Sequence, residues 1–272
     1  MKQVTTNVYV ESGLRFCNLG FVTTKEGIVM VDTPWNPADA VKWREEVSKM
    51  GKPRYLINTE EHPDHCQNSW FFTGVLVTSQ ETREKLSKVS VAEVKERIKH
   101  TTPEGLPLME SFQVRLADIT FTGSMDLYLG DHTFKLFQLP GHTTGGIGVY
   151  IPQERVVFAT DCVFHQLKTW LQDADPDQWL ESLRKIGDLD VDVIVPGHGA
   201  TCKKNYLKEQ ADIIRQWVEV VKSAIKQGLS EDEAVAKVSS PDPYPLQPGI
   251  SYLNTSELNK RIIARLYRLY SS

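Results

Sequence analysis

The spacing of hydrophobic and polar residues changes along the chain, and each spacing predicts a different type of secondary structure. Two apolar runs at residues 17–23 and 28–31 are separated by a polar turn, a pattern typical of a β-hairpin. Apolar residues at helical spacing then predict a helix over residues 38–50, which ends where Gly51 and Pro53 interrupt the pattern. The N-terminal part of the chain is therefore expected to contain a hairpin followed by an amphipathic helix.

Strands and helices continue to alternate through the rest of the chain. The remaining apolar runs predict short strands at residues 55–58, 74–78, 134–139, 148–151, 156–160 and 191–195. A charged segment over residues 80–100 predicts one exposed helix, and residues 119–121 and 125–129 predict a pair of hairpin strands. Residues 179–189 and the chain from Tyr206 onward are predicted to be helical.

The order of these elements predicts the fold class and the domain organisation. Strands in two groups, with helices between and after them, favour a layered α/β fold. No repeat of fixed period and no low-complexity linker divides the sequence, so we expect one domain over residues 1–272. Residues 205–272 are expected to form a mainly helical C-terminal extension of that domain.

Composition and charge narrow the classes of function. The 272 residues are 40% hydrophobic and 24% charged, and their net charge of −4 provides no electrostatic basis for binding nucleic acid. Neither a signal peptide nor an apolar run long enough to cross a membrane is apparent, which predicts a cytoplasmic protein without a membrane partner. The cysteines show no paired spacing and are expected to be reduced: Cys17, Cys66, Cys162 and Cys202.

Histidines and carboxylates follow the predicted strands, where a rigid scaffold ends and side chains can converge. Imidazole and carboxylate groups together are the ligand set of zinc, iron and manganese sites. The candidate ligands in chain order are Glu60, His62, Asp64, His65, His142, Asp161 and His198.

The spacing of these candidates predicts two metal ions. Glu60 and His62 alternate along an extended segment, so their side chains point the same way and can share one ion. Asp64 and His65 fall where the chain turns into a helix after Pro63, and we expect them to bind a second ion.

The later candidates complete this arrangement. His142 is expected to join the first ion and His198 the second. Asp161 has two carboxylate oxygens and is suited to bridge both ions. The predicted cofactor is therefore a pair of divalent metal ions in each chain.

In these motifs the sequence resembles the metallo-β-lactamase superfamily. The matching pieces, in the family's order between about residues 16 and 200, are Asp32, Thr59-Glu60-Glu61-His62-Pro63-Asp64-His65, Leu139-Pro140-Gly141-His142-Thr143, Thr160-Asp161 and Pro196-Gly197-His198-Gly199. The resemblance implies a four-layer αββα sandwich with a dinuclear metal site at one edge of the two sheets. Asp32 is expected to support the site rather than to react.

One residue departs from the family pattern. The superfamily usually reads His-x-His-x-Asp-His, whereas this sequence has Glu60 in place of the first histidine. A further carboxylate shifts the preference from zinc toward iron or manganese. It also neutralises part of the charge of the ion that it binds.

This departure leaves two kinds of chemistry open. The favoured interpretation is a hydrolase that uses a metal-bridging hydroxide on a small-molecule ester, thioester, lactone or amide, with Asp64 positioning the nucleophile. The alternative is a diiron oxidoreductase that uses oxygen on a small substrate, although no flavodoxin-like domain accompanies it. A third hypothesis is a relative that binds a small molecule without catalysis.

Other residues near the motifs are also candidates for the site or its surroundings. His165, four positions after Asp161, is a candidate general acid. Cys66 and Cys162 each follow a candidate ligand and are expected to be buried packing residues. Loop aromatics are candidates to line the substrate cleft: Trp35, Phe164, Trp170, Tyr244 and Tyr252. A homodimer is possible, but no motif decides it.

Overall fold

The computed structural model describes residues 1–250 and 253–271, which form two β-sheets flanked by helices. The seven-stranded sheet contains, in spatial order, β1 (Lys2–Gln3), β2 (Val8–Glu11), β3 (Leu19–Thr24), β4 (Gly27–Val31), β5 (Pro53–Ile57), β6 (Val75–Ser79) and β7 (Ile119–Phe121). The five-stranded sheet has the order β12 (Val193–Gly199), β11 (Val156–His165), β10 (Ile147–Ile151), β9 (His132–Gln138) and β8 (Ser124–Leu129). The helices are α1 (Pro37–Met50), α2 (Pro63–Cys66), α3 (Gln80–Leu86), α4 (Val91–Thr101), α5 (Pro176–Asp188), α6 (Asn205–Lys226), α7 (Glu231–Lys237) and α8 (Thr255–Tyr270).

The two sheets pack face to face because their strands alternate between two buried surfaces. In β4, Val29 and Val31 point toward the five-stranded sheet and join a cluster with Phe134 and Val149. Ile28, in the same strand, points the opposite way toward α1. Burial on both faces explains why these strands are continuous apolar runs in the sequence.

Helices cover the outer face of each sheet. Trp43 of α1 packs against the seven-stranded sheet, and Trp179 of α5 and Trp217 of α6 pack against the five-stranded sheet. The layers therefore follow the order helix, sheet, sheet, helix, and the predicted αββα sandwich is confirmed.

The C-terminal helices belong to the same buried cluster as the second sheet. Ile214 of α6 and Ile262 of α8 pack with Val163 of β11 and Leu183 of α5. This shared core supports the proposal of one domain over residues 1–272, with 205–272 as its helical extension. Within the described residues, no helix combines the length and the apolar character that crossing a membrane requires.

The segment predicted as one helix over residues 80–100 is instead two helices, α3 and α4. Ser90 starts α4 because its hydroxyl accepts a hydrogen bond from the backbone N–H of Glu93 (3.2 Å). The Glu93 carboxylate in turn accepts one from the backbone N–H of Ser90 (2.7 Å), forming a capping box. This reciprocal cap stabilises a new helix start, so the prediction of a single helix was wrong.

The predicted hairpin over residues 119–129 was also wrong, because its two strands lie in different sheets. β7 runs parallel to β6, with Ile119 opposite Val77. β8 pairs with β9, with Ser124 opposite Phe137. The chain crosses between the sheets at Gly123, whose φ of 75° is readily adopted by glycine.

Candidate metal centre

The loop after β5 carries the densest part of the motif, and Asp32 holds this loop in place. Asp32 follows β4, and its carboxylate accepts hydrogen bonds from the backbone N–H (2.7 Å) and the hydroxyl (2.6 Å) of Thr59. The same carboxylate lies 2.8 Å from Nδ1 of His65. Since β4 and β5 are adjacent parallel strands, their ends meet at one edge of the sheet. Asp32 thus orients the segment that supplies four of the candidate ligands.

Pro63 explains how neighbouring residues reach different sides of the centre. His62 still has an extended backbone, and Pro63 is the first residue of α2. The ring of Pro63 suits this first helical position, where no N–H is needed. The following turn directs Asp64 and His65 away from the direction of His62.

Asp161 and His198 lie inside strands rather than after them, which corrects the prediction. β11 continues to His165, and its pairing with β12 shifts register around Thr160. Thr160 has a φ of 47°, and its hydroxyl oxygen lies 2.8 Å from the hydroxyl oxygen of Thr59 across the sheets. This irregularity turns Asp161 toward the loop after β5 instead of ending the strand.

Gly197 is required by the close approach of β12 to Asp161. A Cβ atom at this position would lie 1.9 Å from Oδ1 of Asp161 and 2.8 Å from its backbone nitrogen. Only glycine therefore leaves room for the Asp161 carboxylate beside the strand that carries His198.

The candidate ligands form two groups that share Asp161. The first, named the Glu60 group, contains Glu60, His62, His142 and Asp161. The second, named the His65 group, contains His65, His198 and Asp161. Within each group, one donor atom per residue lies within 4.8 Å of the others. Asp64, which the sequence assigned to the second ion, belongs to neither group and clusters instead with Cys17 and His65.

The Glu60 group is joined by direct contacts between its members. Oε1 of Glu60 lies 2.8 Å from Nδ1 of His62, and Nε2 of His142 lies 3.3 Å from the same nitrogen. The hydroxyl of Thr143 donates a hydrogen bond to the other oxygen of Glu60 (3.0 Å). Glu60 is only 1% exposed, so its carboxylate depends on these partners.

Asp161 stands between the two groups. Its Oδ2 lies 3.3 Å from Nε2 of His142, whereas its Oδ1 lies 3.2 Å from Nε2 of His65 and 3.1 Å from Nε2 of His198. Asp64 adds a second carboxylate on the His65 side, with Oδ2 3.5 Å from Nε2 of His198. The two carboxylate oxygens of Asp161 thus face different groups.

The carboxylates and histidines of the cluster shift one another's pKa values. Burial acts to raise the pKa of Glu60 and of Asp161, but the facing histidines outweigh it and hold both pKa values below the ordinary range. Burial likewise acts to lower the pKa of His62, and Glu60 outweighs it and raises that pKa to about 10. Without metal, the buried carboxylates therefore rely on protonated histidines for compensation.

A divalent ion can replace those protons, and two atoms that face each other support this substitution. Nε2 of His65 and Oδ1 of Asp161 are buried and lie 3.2 Å apart, but neither makes a hydrogen bond. Buried polar atoms are nearly always satisfied, so a pair left open suggests a missing ligand between them. The donor set of imidazoles and carboxylates fits a divalent metal ion.

The Nδ1 atoms of His142 and His198, on the ring side away from Asp161, also have partners. Nδ1 of His142 lies 2.9 Å from the carbonyl oxygen of Trp170, and Nδ1 of His198 contacts Oε1 of Gln247. The ring of Phe164 stacks on His198 with centroids 5.0 Å apart. Such partners fix ring orientation and raise the basicity of a ligand nitrogen.

The cluster opens onto a cleft of about 360 Å³ with mostly apolar walls. Three of the five aromatic residues suggested by the sequence line it: Trp35, Phe164 and Trp170. Phe16 and Ile250 extend the same apolar surface. A pocket with apolar walls and a few convergent polar groups is typical of small-molecule sites.

The other sequence candidates lie elsewhere. His165 packs edge-on against Tyr206 (centroids 4.5 Å), and its Nδ1 lies 2.8 Å from the carbonyl oxygen of Ala200. It does not line the cleft, so the structure does not support a role for it as a general acid. Tyr244 also lies outside the cleft lining and donates its hydroxyl to Glu209. Tyr252 falls outside the described residues.

Sequence reasoning overlooked three residues near the site. Cys17 donates its thiol to the carbonyl oxygen of Asp64 (2.8 Å), and burial raises its pKa well above the ordinary range of a thiol. Gln247 contacts His198 from a loop outside any motif, and Arg97 lines the cleft from α4. No local pattern marked these residues, because each reaches the site through the fold.

Family comparison agrees with this architecture. The family model of the metallo-beta-lactamase superfamily matches residues 12–198, more than half of the chain. The chain therefore belongs to the metallo-β-lactamase superfamily.

Solved structures share the fold at low sequence identity. A metallo-beta-lactamase from Pontibacter korlensis matches with a TM-score of 0.64 and 18% identity over 79% of this chain and 97% of its own. The stereoselective inverting sec-alkylsulfatase from Pseudomonas sp. matches with a TM-score of 0.72 and 17% identity over 98% of this chain and 49% of its own. At such identities the likeness shows the fold alone.

Similarity to curated proteins is partial. A hydroxyacylglutathione hydrolase from Bartonella henselae is 34% identical over 102 residues, which are 37% of this chain and 40% of that protein. The first curated relatives are matched over 32% to 49% of their own length. Their activities and substrates are therefore properties of those proteins.

Proposed function

We propose that this protein is a dimetal-dependent hydrolase of a small-molecule ester, thioester, lactone or amide. The observation that carries the proposal is the Asp161 carboxylate, which lies between His142, His65 and His198 at the floor of an apolar cleft. Membership of the superfamily and partial similarity to a hydroxyacylglutathione hydrolase support the same chemistry.

Each part of the site has a definable task in this reaction. When bound, two divalent ions supply Lewis acidity to the scissile carbonyl and bring the pKa of a water toward neutrality. Asp64 is the half-buried carboxylate that lines the cleft, so it can accept a hydrogen bond from the attacking water and orient it. Phe164 and Trp170 limit bulk water around the reacting group.

The carboxylate of Glu60 bears on which metal is used. With Asp64 and Asp161 it gives three carboxylates among the candidate ligands. This set favours iron or manganese more than the same set with a histidine in place of Glu60. Zinc also accepts these ligands. The same observation keeps a diiron oxidoreductase as the second candidate.

The test is an activity panel on protein of defined metal content. Protein stripped by chelation and then reloaded with zinc, manganese or ferrous iron is assayed on aryl esters, thioesters, lactones and amides. We expect hydrolysis to disappear on chelation and to return with at least one ion. Oxygen consumption with iron, without hydrolysis of any member of the panel, would instead favour the oxidoreductase.

A further inference from the structure

Arg97 places a positive charge in the wall of the cleft beside the candidate metal centre. It lies in α4 and lines the same cavity as His62, Asp64 and His198. Among the described residues that line this cavity, it is the only lysine or arginine. Its side chain is half-buried, so its charge is partly removed from water.

A neutral side chain orients this guanidinium. Nη1 of Arg97 donates a hydrogen bond to Oε1 of Gln67 (3.0 Å). The amide of Gln67 is fixed in turn, because its Nε2 donates to the carbonyl oxygen of Trp35 (2.8 Å). The arginine is therefore held in one position by a partner that does not neutralise it.

No carboxylate of the described residues forms an ion pair with Arg97. Glu93, one turn earlier in α4, points its carboxylate back to Ser90 in the helix cap. Nε and Nη2 of Arg97, which together carry three N–H groups, have no acceptor within the described part of the chain. Such a fork matches the two oxygens of an oxyanion.

The other walls of the cavity are mostly apolar. Five large apolar residues line it, together with the neutral polar residues Thr101, Gln172 and Gln247: Phe16, Trp35, Phe164, Trp170 and Ile250. The carboxylates of Glu93 and Asp64 act on Arg97 only from a distance, without a direct ion pair. A partly desolvated guanidinium that lacks a direct ion pair is costly, and an anionic ligand offsets that cost. An apolar body attached to the anion would cover the aromatic surface.

We propose that Arg97 binds an oxyanion group of the substrate, so that the enzyme selects small amphiphilic anions whose scissile bond lies at the metal centre. The inference rests on the proposed hydrolase function and adds its substrate class. Arg97 is then a specificity-determining residue rather than one that reacts. Its contact is made equally in the ground state and the transition state, and its loss raises KM more than it lowers kcat.

A matched pair of esters, one anionic and one neutral, tests whether Arg97 selects anionic substrates. 4-Nitrophenyl hydrogen suberate carries a free carboxylate, and 4-nitrophenyl methyl suberate has the same chain with the charge capped. In each, water adds to the acyl carbon and 4-nitrophenolate leaves. We expect Arg97→Met to raise KM for the anionic ester by roughly 10- to 100-fold, with KM for the neutral ester nearly unchanged. Arg97→Lys keeps the charge but loses the fork, and we expect an intermediate value.

Lys99→Met is the matched control, because it removes one positive charge from the exposed side of the same helix, where Lys99 contacts Glu96. It should leave both KM values unchanged. Equal effects of Arg97→Met on the two esters, or no preference for the anionic ester in the unmodified enzyme, would overturn the inference. Metal content is measured for every variant, so that a damaged metal centre is recognised.

A binding measurement separates this inference from the proposed function. Calorimetry compares 1-octanesulfonate with the neutral octyl methyl sulfone on the unmodified protein, Arg97→Met and Lys99→Met. We expect the sulfonate alone to lose affinity in Arg97→Met, by at least about tenfold. If neither ester is cleaved but this loss is found, ester hydrolysis fails and the anion site stands. If the esters are cleaved and the sulfonate binds all three proteins alike, the anion site fails and the hydrolase stands.

Discussion

The two halves of the candidate metal centre share Asp161 but are satisfied in different ways. In the Glu60 group, Glu60 and His62 contact each other at 2.8 Å, and Thr143 donates to the remaining carboxylate oxygen at 3.0 Å. In the His65 group, Nε2 of His65 and Oδ1 of Asp161 are buried without a hydrogen-bond partner. The first group can therefore persist as a hydrogen-bonded cluster, whereas the second depends more strongly on an ion.

The groups that contact the Nδ1 atoms of the histidines also differ between the two halves of the centre. His65 is held by the carboxylate of Asp32 at 2.8 Å, while His142 is held by the neutral carbonyl group of Trp170 at 2.9 Å. A carboxylate behind an imidazole increases its basicity more than a neutral acceptor does. We therefore expect the His65 group to bind its metal ion more tightly, so that it fills before the Glu60 group.

The largest effect is expected from Asp161→Asn, because this carboxylate serves both groups. The variant keeps the volume of the side chain but removes the shared negative charge. We expect loss of metal from both groups and a fall in hydrolysis on the order of 10³-fold, measured with elemental analysis and steady-state kinetics. Asp173→Asn, which removes the same charge at an exposed position, is the control and should change neither quantity.

Glu60→His converts the Glu60 group toward the usual histidine pattern of the superfamily. We expect the metal content to shift toward zinc, because an imidazole replaces a hard oxygen donor. Hydrolysis should persist within about tenfold of the unmodified enzyme, since the ligand count is kept. If metal stays bound while hydrolysis is abolished, the chemistry requires the carboxylate and the hydrolase account is weakened.

Asp32→Asn removes the anionic partner of His65 but keeps an oxygen that can accept from the backbone N–H of Thr59, so its main effect is expected in the His65 group. We expect metal affinity in this group to fall by about 10- to 100-fold, with the Glu60 group retaining its ion. A competition titration against a chelator reports the two affinities separately. Equal weakening of both groups would show that Asp32 acts on the whole loop rather than on His65.

Gln247→Leu should have a smaller effect than Asp32→Asn on the same group. Gln247 contacts Nδ1 of His198 as a neutral acceptor and donates to the carbonyl oxygen of Phe16. We expect a loss of metal affinity below about tenfold, in the same chelator competition. A loss as large as that of Asp32→Asn would mean that the loop around Gln247 organises the centre.

The pH dependence of stability should change sign when metal is removed. In the metal-free protein, Glu60 raises the pKa of His62 from 6.5 to about 10, so this stabilisation is complete below pH 6.5 and is lost as the pH rises toward 10. Metal requires deprotonated histidines, so its stabilisation should increase as the pH rises. Melting temperatures from pH 6 to 9, with and without metal, measure both trends. Parallel trends would contradict this coupling.

Much of the fold could be predicted from the sequence because its strands are continuous apolar runs. The failures came where short signals compete with longer patterns. Ser90 and Glu93 form a capping box. The prediction of a single helix over residues 80–100 overlooked this local signal for a helix start. The separation of β7 from β8 rests on pairing partners distant in sequence, namely Val77 and Phe137, which no local pattern specifies.

The candidate ligands could be proposed because they are clustered in motifs, but their surroundings could not. Arg97 and Gln247 lie in ordinary helical and loop sequence, and only the fold brings them to the cleft. His165 follows Asp161 closely in sequence, yet the continuation of β11 directs it toward Tyr206. The assignment of each ligand, the number of ions and a cytoplasmic location stay predictions.

The central claim is a dinuclear metal centre in this cluster. The most direct test is the metal content of the protein purified without added metal, by elemental analysis with an optical spectrum alongside. The account predicts about two divalent ions per chain, falling in the Asp161→Asn variant and unchanged in Asp173→Asn. A protein that contains no metal, and that takes up none on reconstitution with zinc, manganese or iron, would contradict it.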